Sequence, residues 1–273
     1  MREDPASRID DGSDEKALYL FAFGVGSRLR ELPATLAEQV EIHHIGDIAA
    51  LVGSTSIRDY CGADAANRLT DLAWLTPRLR RHAEVIDAAM RLSPVFPTPF
   101  GTLYSSASSL ARFVDAHHRT ILEFLRATFE HEEWELRAEA RFDTPQALDQ
   151  LACEAWPEWR TLPKGARYLR LCRDRAALLD FGRVSLHTHV EELLTELGPS
   201  AADVRRRDIE HRADSGHAEF ISRYALLVPK PKSAEARARI AAFAERRSDS
   251  HLTIDIVGPA PPFSFRPNLD SIQ

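Results

Sequence analysis

Apolar residues come in short runs near the ends of each half of the chain, and in three- and four-residue periods between them. Lys16 to Gly24 (KALYLFAFG) is a compact aromatic and aliphatic run that stops at glycine, which predicts a buried strand. Val40 to Gly53 (VEIHHIGDIAALVG) predicts two strands around a turn at Gly46-Asp47. From Asp64 to Met90, Leu69, Leu72, Leu79, Ala83, Ile86 and Met90 follow helical spacing and form one stripe for a core. Pro77 interrupts that stripe. It cannot donate the helix hydrogen bond, so a kink or a second helix capped by Thr76 is expected there. Ser93 to Ser106 (SPVFPTPFGTLYSS) holds three prolines and a glycine among aromatics, which predicts a stiff extended segment. A helix is then expected from about Ser106 to His131, with Leu110, Phe113, Val114, His117, Ile121 and Leu125 inward.

The second half opens on strict alternation. In Glu133 to Phe142 (EWELRAEARF), Trp134, Leu136, Ala138 and Ala140 point one way, and Glu135, Arg137, Glu139 and Arg141 the other. Thr144-Pro145 predicts a capped helix start, and a helical stretch runs to Leu197, where Gly198-Pro199 ends it. Val204 to Arg212 and Glu219 to Val228 predict a hairpin around Asp214-Ser215-Gly216. Ser233 starts a helix with Ile240 and Phe243 inward, and Leu252 to Val257 closes as a strand. Strand, helix, strand, strand, helix, strand is the ferredoxin-like order. The expected fold class is α+β in two domains, the second a modified ferredoxin-like fold with an extended helical insertion. The expected division is a disordered arm over 1–15, an amino-terminal α+β domain over 16–130, and a carboxy-terminal domain with a proline and aromatic tail over 131–273.

Composition narrows the chemistry. The 273 residues suit two domains, and 44% hydrophobic residues allow two modest cores. Lys+Arg total 35 against Asp+Glu 41, a net charge of −6, which disfavours nucleic acid as a partner. Arg205, Arg206 and Arg207 are diluted by Asp203, Asp208 and Glu210, so they read as a solvated strand. Cys61, Cys153 and Cys172 are isolated and odd in number, as in a reducing compartment. The acidic, polar start, Met1 to Glu15, is unlike a secretion signal and reads as a disordered arm. No apolar run approaches the ~20 residues of a membrane helix. A soluble, cytoplasmic protein without membrane insertion is expected.

Each candidate site also has a plain packing reading. Gly24-Val25-Gly26-Ser27 has Leu29 where a dinucleotide loop needs its third glycine, so it reads as a turn. His43-His44, His117-His118 and His187-Thr188-His189 lack the convergent spacing of a zinc site. His82 and Glu84, two apart on a helix, diverge and make no acid–base pair; His82 is expected to pack under the proline-rich segment. No serine elbow or phosphate loop is present. Pro259, Pro261 and Pro262 hold the tail extended, so that Phe263 and Phe265 tuck onto the body; the alternative is an exposed anchor for a partner.

Three stretches together resemble the gas vesicle protein F/L family. The first is Tyr19-Leu20-Phe21-Ala22-Phe23 with the later Ile48-Ala49-Ala50-Leu51-Val52. The second is the helix around His82 and Glu84, running into Pro94-Val95-Phe96-Pro97-Thr98-Pro99-Phe100-Gly101-Thr102. The third is the tail Gly258-Pro259-Ala260-Pro261-Pro262-Phe263-Ser264-Phe265. The chain departs from the family pattern at Thr98-Pro99, where leucine and arginine are usual, and at Leu92-Ser93, where glycine is usual before Pro94.

The resemblance implies a two-domain α+β accessory protein, not an enzyme and with no cofactor. It implies a cytoplasmic, gas-vesicle setting, with the hydrophobic shell protein and other accessory proteins as partners. The strand Tyr19 to Phe23 and the segment Phe96 to Thr102 are the candidate contact surfaces. The competing readings are a small-molecule or haem-handling enzyme on ferredoxin-like domains and a ligand-sensing module. Either would need a pocket of convergent histidines or carboxylates, or a cleft with orienting polar groups.

Overall fold

The computed structural model describes residues 15–30, 32, 36, 40–62, 64–142, 144–207, 219–247 and 252–269. The chain divides into two compact units: Met1–Phe129 with Pro261–Gln273, and Glu130–Ala260. Both are mixed helix and antiparallel sheet. The expected arm over 1–15 lies outside the described residues except for Glu15. The described tail, expected with the second domain, groups with the first unit.

In the first unit, β1 (Lys16–Val25) is the central strand. It pairs antiparallel with β3 (Ile48–Ser56), which carries β2 (Glu41–Ile45) on its outer side through the expected turn at Gly46-Asp47. On its other edge β1 pairs with β4 (Val95–Pro97) and β5 (Leu103–Tyr104). The β1–β3 register shifts between Leu20 and Ala22, so one extra residue is inserted into β1. That bulge changes the parity of the strand. Tyr19 and Phe21 meet His82, whereas Phe23 meets Phe96 and Phe113.

Two helices precede β4: α1 (Ala65–Thr70) and α2 (Leu72–Met90). They break at Asp71, whose carboxylate caps the Ala73 amide at 2.9 Å, and not at Pro77, which sits inside α2. An N-cap aspartate satisfies an orphan amide at the start of a helix, so the break forms there. Pro77 removes only one further intrahelical bond. The buried face of α2 is His82, Val85, Ile86 and Ala89; Leu69, Leu72 and Leu79 of the expected stripe are exposed. Leu72 and Leu79 lie in the amino-terminal half of α2, which buries no residue; burial on this helix begins at His82. Helix α3 (Ala107–Ala127) starts on a Ser106/Ser109 capping box and buries Leu110, Val114, Ile121, Phe124 and Leu125.

In the second unit the sheet order is β7 (Asp203–Arg207), β8 (Glu219–Pro229), β6 (His131–Arg141), β9 (Leu252–Ala260), with every pair antiparallel. The alternation read from β6 holds: Trp134, Leu136, Ala138 and Ala140 are buried. Helices α4 (Pro145–Ala155), α5 (Lys164–Leu197) and α6 (Ser233–Arg246) supply the rest of that core, including Leu151, Leu186, Val190, Leu193, Ile240 and Phe243. Thr144 caps α4 with Pro145 at its first turn, as expected. The other face of β6 carries cross-strand charge: Glu135 meets Arg207 at 2.7 Å and Arg223 at 3.0 Å. The expected hairpin turn at 214–216 lies outside the described residues. His187 and His189 fall on α5.

At the end of β9, Gly258 has φ +152°, and a Cβ there would meet the Trp134 ring at 2.8 Å and the Glu133 carbonyl oxygen at 3.0 Å. Only glycine fits so close an approach. Pro259 is exposed, Pro261 and Pro262 are buried, Phe265 is 6% exposed and Phe263 39%. Arg266 reaches the Pro97 carbonyl. Of the two tail aromatics, Phe265 is the packed one. Phe265→Ala should therefore destabilise by ~3–5 kcal/mol and Phe263→Ala by under ~1 kcal/mol. Thermal unfolding of the two variants checks this; equal losses would mean the two rings carry the tail alike.

Candidate functional site

The bulge in β1 leaves strand carbonyls that the regular ladder cannot satisfy. Thr98, immediately after β4, supplies the missing donors. Its amide donates to the Phe21 carbonyl at 3.1 Å. Its hydroxyl lies 2.8 Å from the Leu20 carbonyl and 2.9 Å from that of Phe21. The Leu20 amide donates to the Thr102 carbonyl at 2.9 Å, which closes the segment on the far side of the bulge.

Between these anchors the chain turns through Pro99, Phe100, Gly101 and Thr102. The Thr102 hydroxyl donates to the Pro99 carbonyl at 2.7 Å. Gly101 takes φ +83°, the third-position geometry of a type II turn, which favours glycine. The turn carries Phe100 half-buried, beside Tyr19 (6.0 Å between ring centres) and Tyr60 (5.7 Å). Tyr60 in turn meets Trp74 at 5.6 Å, and the Arg78 guanidinium lies 4.0 Å over the Trp74 ring.

His82 lies beneath this turn, 6% exposed, with the rings of Tyr19, Phe21 and Phe100 each within 6 Å. Its Nδ1 is 2.9 Å from the Tyr19 hydroxyl and its Nε2 is 3.1 Å from the Thr98 carbonyl. The Gly101 amide donates to the same tyrosine oxygen at 3.2 Å. One proton assignment satisfies all three contacts. Gly101 N–H donates to Tyr19, the tyrosine O–H donates to Nδ1, and Nε2–H donates to Thr98. Burial holds the imidazole below its ordinary value of 6.5, with the Thr98 carbonyl opposing the shift, and burial pushes the Tyr19 phenol up. Both ring nitrogens are engaged, so the histidine has no lone pair free for a substrate proton. The arrangement positions a turn.

The structure thus brings together Tyr19, Phe21, His82, Phe100, Gly101 and Thr102. Phe96 and Pro97 are buried, with Phe96 against Phe23 and Phe124 on the other side of the sheet. Pro94 is half-buried, and Glu84 faces solvent away from the cluster. Gly258 and Pro259 belong to the second unit, whereas Pro262, Phe263 and Phe265 belong to the first. Tyr19 and Phe21, offered above as a contact surface, lie inside a strand paired on both edges, so they present no free sheet edge. Sequence reasoning noted Thr98 only as a departure and missed Tyr60 and Trp74. Their roles come from contacts between residues far apart in sequence, Thr98 with Leu20 and Phe21 and Tyr60 with Tyr19, Trp74 and Phe100, which leave no local signal. Among the described residues, no group of three or more His, Cys, Asp or Glu side chains is placed to hold a metal ion, and no helix is long and apolar enough to cross a membrane.

Because the folded state disfavours protonated His82, the unfolded chain takes up that proton more readily. The stability tied to neutral His82 is full above pH 6.5 and is lost as pH falls through 6.5 toward the lowered folded value. The wild type should lose melting temperature between neutral and mildly acidic pH more steeply than His82→Gln, which starts less stable. Tyr19→Phe should cost ~1–3 kcal/mol, because Nδ1 and the Gly101 amide lose their partner. Parallel pH profiles for wild type and His82→Gln would contradict the assignment.

The comparisons agree with this architecture. No curated protein matches the chain in sequence. Among solved structures, the chain is similar in fold to gas vesicle protein GvpF from Anabaena sp. PCC7120, with TM-score 0.66 and 15% identity, over 93% of this chain and 97% of that one. It is likewise similar to GvpF from Microcystis aeruginosa, with TM-score 0.64 and 15% identity, over 92% of this chain and 99% of that one. The family model described as gas vesicle synthesis protein GvpL/GvpF matches residues 17–267, a span that holds the bulged strand, the His82 cluster and the tail through Phe265. The chain therefore belongs to the gas vesicle synthesis protein GvpL/GvpF family.

Proposed function

We propose that this protein is an accessory factor of gas vesicle formation that binds the hydrophobic shell protein and works with other accessory proteins, in the cytoplasm and at the growing vesicle. Family membership over nearly the whole chain carries the reading. A shell subunit apolar enough to face gas aggregates in water before assembly, and a soluble partner with exposed apolar side chains can shield it. The first unit offers such side chains around α1 and α2. Leu72 is 73% exposed, and Leu69 and Leu79 are also exposed; Trp74, on the same helix as Leu72 and Leu79, packs against Tyr60. We assign the shell contact to this region. In that role the His82 cluster is a support that sets the Phe100 turn against Tyr60.

The strand order of the second unit, with helical connections after β6 and after β8, supports reading it as a ferredoxin-like domain enlarged by α5. Family membership favours an accessory protein over an enzyme or a ligand-sensing module, and on that support we read the protein as non-enzymatic and without a cofactor.

Denatured shell protein diluted into buffer should scatter less light when this chain is present at equimolar ratio. Leu72→Asp should weaken the protection several-fold without lowering the melting temperature, since Leu72 is largely exposed. Unchanged aggregation with the wild type would count against direct shielding. Full protection by Leu72→Asp would move the contact elsewhere.

A further inference from the structure

The two edge strands of the second unit's sheet are built differently. In the order β7-β8-β6-β9, β7 and β9 each pair on one side only among the described residues. Strand β7 carries Asp203, Arg205, Arg206 and Arg207, and a charged edge keeps stray strands away. Strand β9 carries a single charge, Asp255. Thr253 and Val257 share its solvent face, and both are exposed, Val257 at 63%. No proline or lysine interrupts Thr253 to Val257; the register shift against β6 and Pro259 come only after it.

The other face of β9 is apolar. Leu252, Ile254 and Ile256 stand opposite Ala140, Ala138 and Leu136 of β6, and they pack against the core while staying only half-buried. Helix α6 runs alongside with Ala234, Ala238 and Ala241 exposed, and helix and strand enclose a groove. Alanines at spacings of four and three lie on one helix face. They leave room beside the edge that larger side chains would fill. A strand edge that runs along an apolar groove can take an added strand, which pairs through its backbone and sets alternate side chains into the groove.

We propose that the added strand is β9 of a second copy of this chain, so that two sheets join antiparallel about a two-fold axis at Ile254. The sequence of β9 selects this occupant and this register. The axis must pass through a residue, because an axis between residues sets core-facing against solvent-facing side chains. With the axis at Asp255, two carboxylates would face each other, which is destabilising. With the axis at Ile256, Thr253 would face Pro259, which has no amide to pair. An axis at Thr253 overlaps only Leu252 to Ile254 within the strand. With the axis at Ile254, that residue faces its own counterpart, Leu252 faces the second copy's Ile256, and Thr253 faces its Asp255. Symmetry forms the last two pairs twice. The Thr253 hydroxyl can donate to that carboxylate. Asp255 stands opposite Arg137 in register, but the Arg137 guanidinium pairs with Glu139. On the core side, the second copy's Leu252, Ile254 and Ile256 project over the alanine side of α6. The pairing takes the less charged of the two edges out of solvent.

Sedimentation velocity of the full chain over a micromolar concentration series tests this. The wild type should dimerise. Thr253→Asp brings carboxylates face to face at two symmetric places and should raise the dimer Kd about tenfold. Melting temperatures, taken where each protein is monomeric, separate weaker association from a weaker fold. The double variant Thr253→Asp/Asp255→Lys turns each repulsive pair into an attractive one and should return most of the affinity, which a structural defect would not do. A wild type that stays monomeric would leave the edge to a strand from another protein and overturn the proposal. A dimer untouched by Thr253→Asp, or a double variant no tighter than Thr253→Asp, would overturn it as well.

Discussion

The first unit depends on how the bulge in its central strand is satisfied. An inserted residue at Leu20–Ala22 lets Tyr19 and Phe21 serve one side of the sheet and Phe23 the other. It also leaves buried carbonyls, and an unpaired buried polar group costs ~1–3 kcal/mol. Thr98 provides an amide and a hydroxyl at that point and thereby fixes where the proline-rich segment leaves β4. The turn of Phe100 and Gly101, the bond from Gly101 to Tyr19, and the seating of His82 all follow from that anchor.

The two units use charge differently. In the first, the buried polar cluster is neutral, and each of its groups both fixes geometry and is fixed by it. Such networks specify one arrangement because a partly made version is worse than none. In the second, charge lies on the open side of the sheet. Glu135 sits between Arg207 and Arg223, and Glu139 between Arg137 and Arg141. The carboxylates are largely covered, Glu135 at 23% and Glu139 at 14% exposure, and each is flanked by two guanidinium groups that compensate its burial. On the edge strand β7, Asp203, Arg205, Arg206 and Arg207 place charge along the exposed side, which discourages pairing with stray strands.

The shell-binding role proposed above would require the protein to keep its own sheets from joining an aggregate while still offering apolar surface. Seven of the exposed large apolar residues lie on helices, α1 and α2 in one unit and α5 in the other, whereas the edge strands β7 and β9 carry one each, Val204 and Val257. Helix faces satisfy their own backbone, so exposing apolar side chains on them does not also expose unpaired amides and carbonyls.

Local pattern alone determined most of the elements and the family. The alternation of Trp134 to Ala140, the proline cap after Thr144 and the period of α3 are short-range properties, and each reads directly from the chain. The motif around His82 and Pro94 to Thr102 was also legible, down to the expectation that His82 packs beneath that segment. The partners of its side chains were not legible, because they lie about sixty to eighty residues away and depend on a one-residue insertion that composition does not mark. The same limit explains the misplaced stripe on α2. The sequence period carries the stripe through Leu72 and Leu79, and only tertiary packing decided that α2 is covered from His82 onward, leaving Leu72 and Leu79 to solvent and turning His82, Val85 and Ile86 inward.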